Sequence, residues 1–321
     1  MRVAVLGGGI SSEHEVSLNS AASVAAGLRT AGHETVEVTI SREGRWTAGG
    51  EPVVFAPGEG LLGCDAVFPV LHGPGGEDGS VQGLLEVLDV PYAGSDVQSS
   101  AICMDKLVFK DLLARHEIPQ VDFCRAGEDG WREIAAGFGL PVWVKPARLG
   151  SSVGIAPASG DEELDRAVEE ALRHDPRVIV EAPAPGKEIE CSLLGNDQPV
   201  ASPPGEIVMK SSDWYDYEAK YAEGGMELRV PAEISERARE GVRELARRVF
   251  TLCGCSGLAR CDFFVDGEQV LVNELNTIPG FTETSVYGKL FEADGIAYAE
   301  LCDRLVKLAI ERYETAKSFE F

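Results

Sequence analysis

Two carboxylates and one amide oxygen are spaced so that a hairpin would place them on one face. In residues 260–280, CDFFV and QVLVNELN have the composition of strands and are separated by a turn at Asp266-Gly267. Asp262 lies on the first strand, and Glu274 and Asn276 lie two apart on the second, so their side chains share a face. Such oxygen donors suit Mg²⁺ or Mn²⁺, which usually also bind water and phosphate. The pattern therefore indicates nucleotide chemistry, and a solvated hairpin edge is the alternative.

A lysine and a glycine-serine loop form a second candidate site. Lys145 lies in the apolar segment PVWVKP, where a cation is costly unless it is paired. The following loop, residues 150–154, offers the hydroxyl and N–H donors that suit phosphate oxygens. It is not a Walker A loop, because no G-K-[ST] follows it. The pair predicts another way of holding a triphosphate, and a surface hairpin with a chance lysine is the alternative.

Four more polar residues lie at predicted strands or helix ends. His72 ends a strand before a glycine-rich loop, where ligands collect in open α/β sheets, and a structural role is the alternative. Glu15 begins a predicted helix after the glycines at 7–9, and it could contact a ligand or only complement the helix dipole. Glu181 and Glu188, on successive strands, could accept hydrogen bonds from adenine or ribose or could face water. The residues alone leave these alternatives open.

Composition limits the setting of these candidates. The chain has 321 residues and a net charge of −24, which argues against nucleic-acid or anionic membrane partners. We see no secretory signal and no apolar run long enough to span a bilayer. The eight cysteines lack a C-x-x-C pair, so reduced thiols are favoured over zinc. We therefore expect a cytoplasmic protein of two or three domains.

Three blocks follow one another along the chain. Residues 1–95 alternate strand and helix, which predicts a parallel sheet flanked by helices. Residues 96–180 contain a predicted helix over 97–116 and the lysine–loop unit. Residues 181–321 contain further strands, the long polar segment 211–225, typical of a lid, and predicted helices over 235–253 and 296–315.

Seven motifs in order make the chain resemble the D-alanine–D-alanine ligase family of the ATP-grasp superfamily. They are EHEVS, LHGPGGEDG, MDK, VKPARLGSSVG, YDYEAKY, ARCDFF and NELNTIPGFT. The resemblance implies an α/β fold, ATP-grasp, with an N-terminal Rossmann-like (pre-ATP-grasp) parallel-sheet domain. The three blocks then become an N-terminal substrate-binding domain, a central ATP-grasp subdomain with the phosphate loop, and a C-terminal ATP-grasp subdomain with the lid and metal site.

The resemblance also assigns residues by role. It implies two divalent ions, Mg²⁺ or Mn²⁺, that bridge the phosphates of ATP. Their ligands would be Asp262, Glu274 and Asn276, and the phosphate lysines would be Lys106, Lys145 and Lys220. Glu181 would serve the adenine pocket, and Glu188 the ribose.

The substrate side is assigned in the same way. Glu15 would receive the ammonium of the first D-alanine, beside the substrate-side histidine, His72. Arg260 and the N–H of Gly280 would stabilise an oxyanion, and Ser285 would hold the second substrate's carboxylate. The remaining two residues would link to Glu15 and close the lid, and they are Ser151 and Tyr221.

The implied activity is the ATP-dependent, ADP-forming joining of two D-alanines through a D-alanyl phosphate, for peptidoglycan synthesis, by a cytoplasmic homodimer. Tyr221 favours a dipeptide product over D-alanyl-D-lactate. Ala182, Val286 and Gly288 depart from residues frequent in the family, and the last two lie beside the second-substrate site. A related ligase that uses D-serine is therefore one alternative, and a non-catalytic nucleotide-binding module is another. Comparing D-alanine with D-serine as the second substrate tests the first alternative. ADP release that depends on D-alanine would exclude the second.

Overall fold

The computed structural model describes residues 1–150, 153–209 and 226–320. Within these residues the strands form three sheets. The strands are β1 (Arg2–Gly8), β2 (Glu34–Ile40), β3 (Trp46–Ala48), β4 (Glu51–Pro52), β5 (Ala66–Pro69), β6 (Phe123–Arg125), β7 (Val142–Pro146), β8 (Ala156–Ala158), β9 (Val178–Glu181), β10 (Lys187–Gly195), β11 (Val200–Ala201), β12 (Gly205–Met209), β13 (Met226–Arg229), β14 (Gly257–Asp266) and β15 (Gln269–Asn276). The helices are α1 (His14–Thr30), α2 (Ser80–Val87), α3 (Val97–Met104), α4 (Lys106–Arg115), α5 (Trp131–Ala136), α6 (Asp161–Leu172), α7 (Glu236–Leu252), α8 (Val286–Ala293) and α9 (Tyr298–Lys317).

The first sheet confirms the parallel arrangement predicted for residues 1–95. Its order is β4-β3-β2-β1-β5, with β1 parallel to both β2 and β5. The short strands β3 and β4 extend it as an antiparallel edge. Val5 on β1, Val24 on α1 and Leu305 on α9 belong to one buried cluster. The last helix therefore packs against the first sheet and brings the N-terminal and C-terminal parts of the chain together.

Two antiparallel sheets hold the remaining strands. The smaller sheet has the order β6-β9-β7-β8. The larger sheet runs β13-β12-β10-β14-β15, with β11 paired to β10. The predicted hairpin is confirmed as β14 and β15, in which Asp262 pairs with Glu274 and Arg260 with Asn276. These two sheets place the chemically important strands β7, β9, β10, β14 and β15 around one cleft.

The prediction of a single helix over residues 97–116 is wrong, because the helix is interrupted at Asp105. That residue is extended (φ −89°, ψ 99°) and its carboxylate accepts from the backbone N–H groups of Leu107 and Val108 at 3.2 and 3.3 Å. It caps α4, and Arg177 pairs with the same carboxylate. Lys106 thus begins a new helix, with its N–H bonded to Ala147 O at 2.9 Å.

Other expectations agree with the fold. Helices predicted over 235–253 and 296–315 correspond to α7 and α9. All eight cysteines are free, and seven of them are buried. In the part of the chain that the structure describes, no helix is both long and apolar enough to cross a bilayer.

Candidate active site

A cleft of about 280 Å³ lies between the two antiparallel sheets. This volume is just below the roughly 300–1,000 Å³ that small-molecule pockets span. The aromatic rings of Trp143 and Phe264 are among its walls. The sequence-predicted residues that line it are Lys106, Lys145, Glu181, Glu188, Asp262 and Glu274.

A buried ion triad forms the inner end of the cleft. Lys145 Nζ lies 2.6 Å from Glu181 Oε2, and Lys110 Nζ lies 3.2 Å from Glu181 Oε1. Burial alone would raise the pKa of Glu181, but the two lysines lower it to about 2. Burial lowers the pKa of Lys110. Burial acts against the charge of Lys145 too, but Glu181, at 2.6 Å, together with Glu274 and Glu188 outweighs it and raises the pKa of Lys145. The cation that Lys145 brings into an apolar strand is therefore paired.

Lys106 connects the glycine-serine loop at residues 150–154, here called the phosphate-type loop, with the hairpin of β14 and β15. Its Nζ donates to Leu149 O at 2.8 Å and lies 3.5 Å from Glu274 Oε2. Gly150 follows Leu149 directly and also lines the cleft. A phosphate group in the cleft could therefore meet Lys106 and Gly150 together.

Three acids form a row across adjacent strands of the larger sheet. Glu190 on β10 pairs in register with Asp262 on β14, which pairs with Glu274 on β15. Like charges so placed repel unless they are neutralised. Arg260 donates to both oxygens of Asp262 at 2.7 Å, and its Nε lies 3.0 Å from Glu190 Oε2. Arg260 and Lys106 thus supply the positive charge that this row requires.

The chemistry of this donor set fits a divalent cation that also binds phosphate. Two carboxylates and the amide oxygen of Asn276, which accepts from Ile278 N at 3.0 Å, are all hard oxygen donors. Within the described ranges, no group of three or more His, Cys, Asp or Glu side chains is arranged to hold a metal ion. A cation here would therefore depend on Asn276 and on water or phosphate oxygens as well.

The structure places Glu15 on the protein surface and brings the neighbouring acid Glu13 to the cleft side instead. Glu15 is 72% exposed and pairs with Arg42 at 3.2 Å on the protein surface. Glu13, only 7% exposed, immediately precedes α1. A methyl group placed on Gly150 would lie 3.5 Å from Glu13 Oε2, so this carboxylate borders the phosphate-type loop. Two residues correspond to about 200° around a helix, which explains why the two acids face opposite directions.

A second buried acid, Glu77, borders the same loop and was not found from the sequence. A methyl group on Gly150 would lie 3.6 Å from Glu77 Oε1, and that oxygen accepts from Gly73 N at 2.8 Å. Burial, together with the nearby Glu13 carboxylate, raises the pKa of Glu77 to about 8. Glu77 is therefore protonated in the folded protein at neutral pH.

This shift predicts that Glu77→Gln makes the stability less dependent on pH. The folded protein holds a proton that the unfolded chain releases above the ordinary pKa of 4.5, so Glu77 reduces stability as pH rises from 4.5 to about 8. Glutamine can still accept from Gly73 N but does not titrate. Melting temperatures of the metal-free variant, measured from pH 5 to 9 beside wild type, should decline less with pH. Parallel curves would show that the Glu77 pKa is ordinary.

His72 and Gly280 are brought together by the fold. His72 is buried, its Nδ1 lies 2.9 Å from Ile278 O, and its Nε2 lies 3.2 Å from Ser20 Oγ. Phe281 N, next to Gly280, donates to the same Ser20 hydroxyl at 3.4 Å. Burial lowers the pKa of His72, so the ring is neutral.

Ser285 lies beside Gly280 at the start of α8. Its Oγ accepts from Thr282 N at 3.0 Å and lies 2.8 Å from Thr282 Oγ1. A methyl group on Gly280 would lie 3.3 Å from Ser285 Oγ, so the two positions adjoin. The loop before α8 therefore presents a hydroxyl and a backbone N–H near each other.

Three predicted site residues lie outside the described residues, together with the segment 211–225 that the sequence predicts to be a lid. They are Ser151, Lys220 and Tyr221.

Comparison with known proteins covers the whole chain. A family model described as the D-ala D-ala ligase C-terminus matches residues 112–307, and the N-terminus model matches residues 2–57 and 50–95. The D-alanine–D-alanine ligase of Deinococcus radiodurans is 47% identical, over 97% of this chain and 98% of that protein. The enzyme of the same name from Solibacter usitatus is 42% identical, over 100% and 99%.

Solved structures agree with these relatives. The D-alanine-D-alanine ligase from Coxiella burnetii matches with a TM-score of 0.89 at 36% identity, over 99% of this chain and 96% of that chain. The VanG D-Ala:D-Ser ligase from Enterococcus faecalis matches with a TM-score of 0.87 at 34% identity, over 96% and 99%. These likenesses confirm the predicted ATP-grasp fold. From the geometry of the cleft and the end-to-end identity with these relatives, it follows that the chain belongs to the D-alanine–D-alanine ligase family.

Proposed function

We propose that this protein, an ATP-dependent ligase by its family, joins two molecules of D-alanine and releases ADP and phosphate. The observation that carries the proposal is a cleft lined by Lys106, Lys145 and the hairpin acids Asp262 and Glu274, with Arg260 bonded to Asp262. Such a set can neutralise a triphosphate and an oxyanion in one place. The product is the dipeptide needed for peptidoglycan synthesis.

The nucleotide is proposed to occupy the cleft between the two antiparallel sheets. Lys106 and Lys145 would contact the phosphates, and Glu188 would accept from a ribose hydroxyl. Glu181 would face the adenine from the inner end, held by Lys110 and Lys145. This assignment is supported by the burial of the triad and by the aromatic walls of the cleft.

Asp262, Glu274 and Asn276 would hold the Mg²⁺ or Mn²⁺ ions, two of them by family resemblance. When bound, such ions neutralise charge on phosphate oxygens. The acids fit this task because they lie in register on β14 and β15. Arg260 would remain on Asp262 and point its guanidinium toward the reacting carbonyl.

The chemistry then follows from the weakness of a carboxylate as an acyl donor. A carboxylate oxygen of the first D-alanine attacks the γ-phosphorus of ATP, and ADP leaves. The amine of the second D-alanine attacks the resulting D-alanyl phosphate, and phosphate leaves as the amide forms. Arg260 and the N–H of Gly280 would stabilise the tetrahedral oxyanion.

The two substrates would be held by groups on opposite sides of the reacting carbonyl. Glu13, buried beside the phosphate-type loop, would receive the ammonium of the first D-alanine in place of Glu15. Ser285 would hold the carboxylate of the second. By family resemblance alone, Ser151 and Tyr221 would close the site over Glu13, Lys220 would contact phosphate, and the enzyme would be a cytoplasmic homodimer.

A second candidate is a ligase that uses D-serine as the second substrate. It is favoured by the likeness to the VanG D-Ala:D-Ser ligase. It is also favoured by Val286 and Gly288, which depart from residues frequent in the family and follow Ser285 closely in the sequence. Release of ADP with ATP, Mg²⁺ and a panel of D-amino acids tests both. We expect D-alanine alone to support turnover and D-serine to add little to it. Release that requires D-serine would establish the second candidate, and release independent of any D-amino acid would exclude both.

A further inference from the structure

The loop that carries Gly280 is tied to the N-terminal domain by two buried side chains that the proposed chemistry does not use. Ser20 lies on α1 with no exposed surface, and His72 follows β5. The Ser20 hydroxyl accepts from Phe281 N at 3.4 Å, and the imidazole of His72 reaches Ile278 O at 2.9 Å. The two ties therefore lie on either side of Gly280.

The directions of these hydrogen bonds follow from the groups that take part. A carbonyl oxygen only accepts, so Nδ1 of His72 carries a hydrogen and donates to Ile278. In the neutral ring Nε2 is then an acceptor, and the Ser20 hydroxyl donates to it across 3.2 Å. Both ring nitrogens are thus engaged by the protein, which leaves the imidazole no nitrogen for a substrate.

We infer that Ser20 and His72 are positioning residues that together fix the backbone of residues 278–281, and with it the N–H of Gly280. The inference rests on the proposed function, which gives that N–H its role at the oxyanion. A donor contributes only where it points at the developing charge, and small displacements are expensive. The substrate contact predicted for His72 from the sequence is therefore replaced by an indirect, positioning role.

The test is a double-mutant cycle with Ser20→Ala and His72→Asn. Asparagine places an amide N–H near the position of Nδ1, so it can retain the bond to Ile278 and lose only the one to Ser20. We expect each single variant to lower kcat on the order of 10-fold while the KM for ATP stays unchanged. The double variant should be no slower than the slower single variant, because both remove one shared link.

Ser23→Ala is the matched control. This serine lies on the same helix, and its hydroxyl donates to Asn19 O at 3.0 Å within the helix. Its kcat should equal that of wild type. If Ser20→Ala melts below the assay temperature, Ser20→Cys, which keeps the volume and only a weak donor, replaces it in the cycle.

Three results would overturn the inference. One is an unchanged kcat in Ser20→Ala, another is losses that multiply in the double variant, and the third is a raised KM for D-alanine with an intact kcat in His72→Asn. Each of these requires an active wild-type enzyme. Wild type that releases no ADP with D-alanine would instead defeat the proposed function itself, so the two failures are distinguishable.

Discussion

Replacing Glu274 by Gln is expected to lower turnover by at least about 100-fold and to leave the fold intact. The carboxylate lies opposite Asp262 in the hairpin and 3.5 Å from Lys106 Nζ. Glutamine has nearly the same size, so the packing of β15 is kept. It removes one anionic ligand where divalent ions and the phosphates of ATP would meet. Turnover should therefore fall much more than D-alanine binding does.

Steady-state ADP release at increasing Mg²⁺ measures this effect, with a melting curve as the check on folding. Asp266→Asn is the matched control, because it removes an exposed acid at the far end of the same hairpin. It should behave as wild type. Near-normal turnover of Glu274→Gln at ordinary Mg²⁺ would remove the metal assignment.

Replacing Glu13 by Gln is expected to raise the KM for the first D-alanine by at least about 30-fold, since truncating one partner of a buried charge pair costs about 2–5 kcal/mol. The carboxylate is buried beside Gly150, where an ammonium ion would be desolvated. ATP affinity should change little, because the nucleotide is proposed to lie between the two antiparallel sheets.

Glu15→Gln is the matched partner of this variant. It removes the same charge two residues away but loses only an exposed ion pair with Arg42, worth about 0–1 kcal/mol. D-Alanine kinetics and nucleotide affinity, measured on both variants, decide between the two acids. Impaired D-alanine use in Glu15→Gln, with normal use in Glu13→Gln, would restore the assignment made from the sequence.

The catalytic hairpin could be predicted because its signals are local. Alternating apolar residues and a turn fix which side chains share a face, and pairing then brings Asp262 opposite Glu274. The same reasoning could not decide which glutamate of the EHEVS motif, Glu13 or Glu15, faces the site. Which of them faces the site depends on where α1 begins, and helix ends are poorly defined by sequence.

Two of the residues that sequence reasoning missed, Lys110 and Ser20, have no local signal. Lys110 lies on helix α4, and a lysine on a helix ordinarily faces water. It is only 1% exposed, because it faces Glu181 on a strand distant in the sequence. Ser20 is one of several serines in α1, and only the packing of residues 278–281 against that helix distinguishes it. Asp105 interrupts a continuous helical pattern by capping α4. Lys110 and Ser20 depend on tertiary contacts, whereas the cap of Asp105 is a local one, to the N–H groups of Leu107 and Val108.

The most direct test of the account follows oxygen from D-alanine into phosphate. D-Alanine labelled with ¹⁸O in both carboxylate oxygens is incubated with ATP, Mg²⁺ and the enzyme, and the products are analysed by mass spectrometry. A D-alanyl phosphate intermediate predicts one ¹⁸O in the phosphate released for each dipeptide formed, with unlabelled ADP. Label in AMP, or dipeptide formed with unlabelled phosphate, would contradict transfer of the γ-phosphoryl group to the carboxylate.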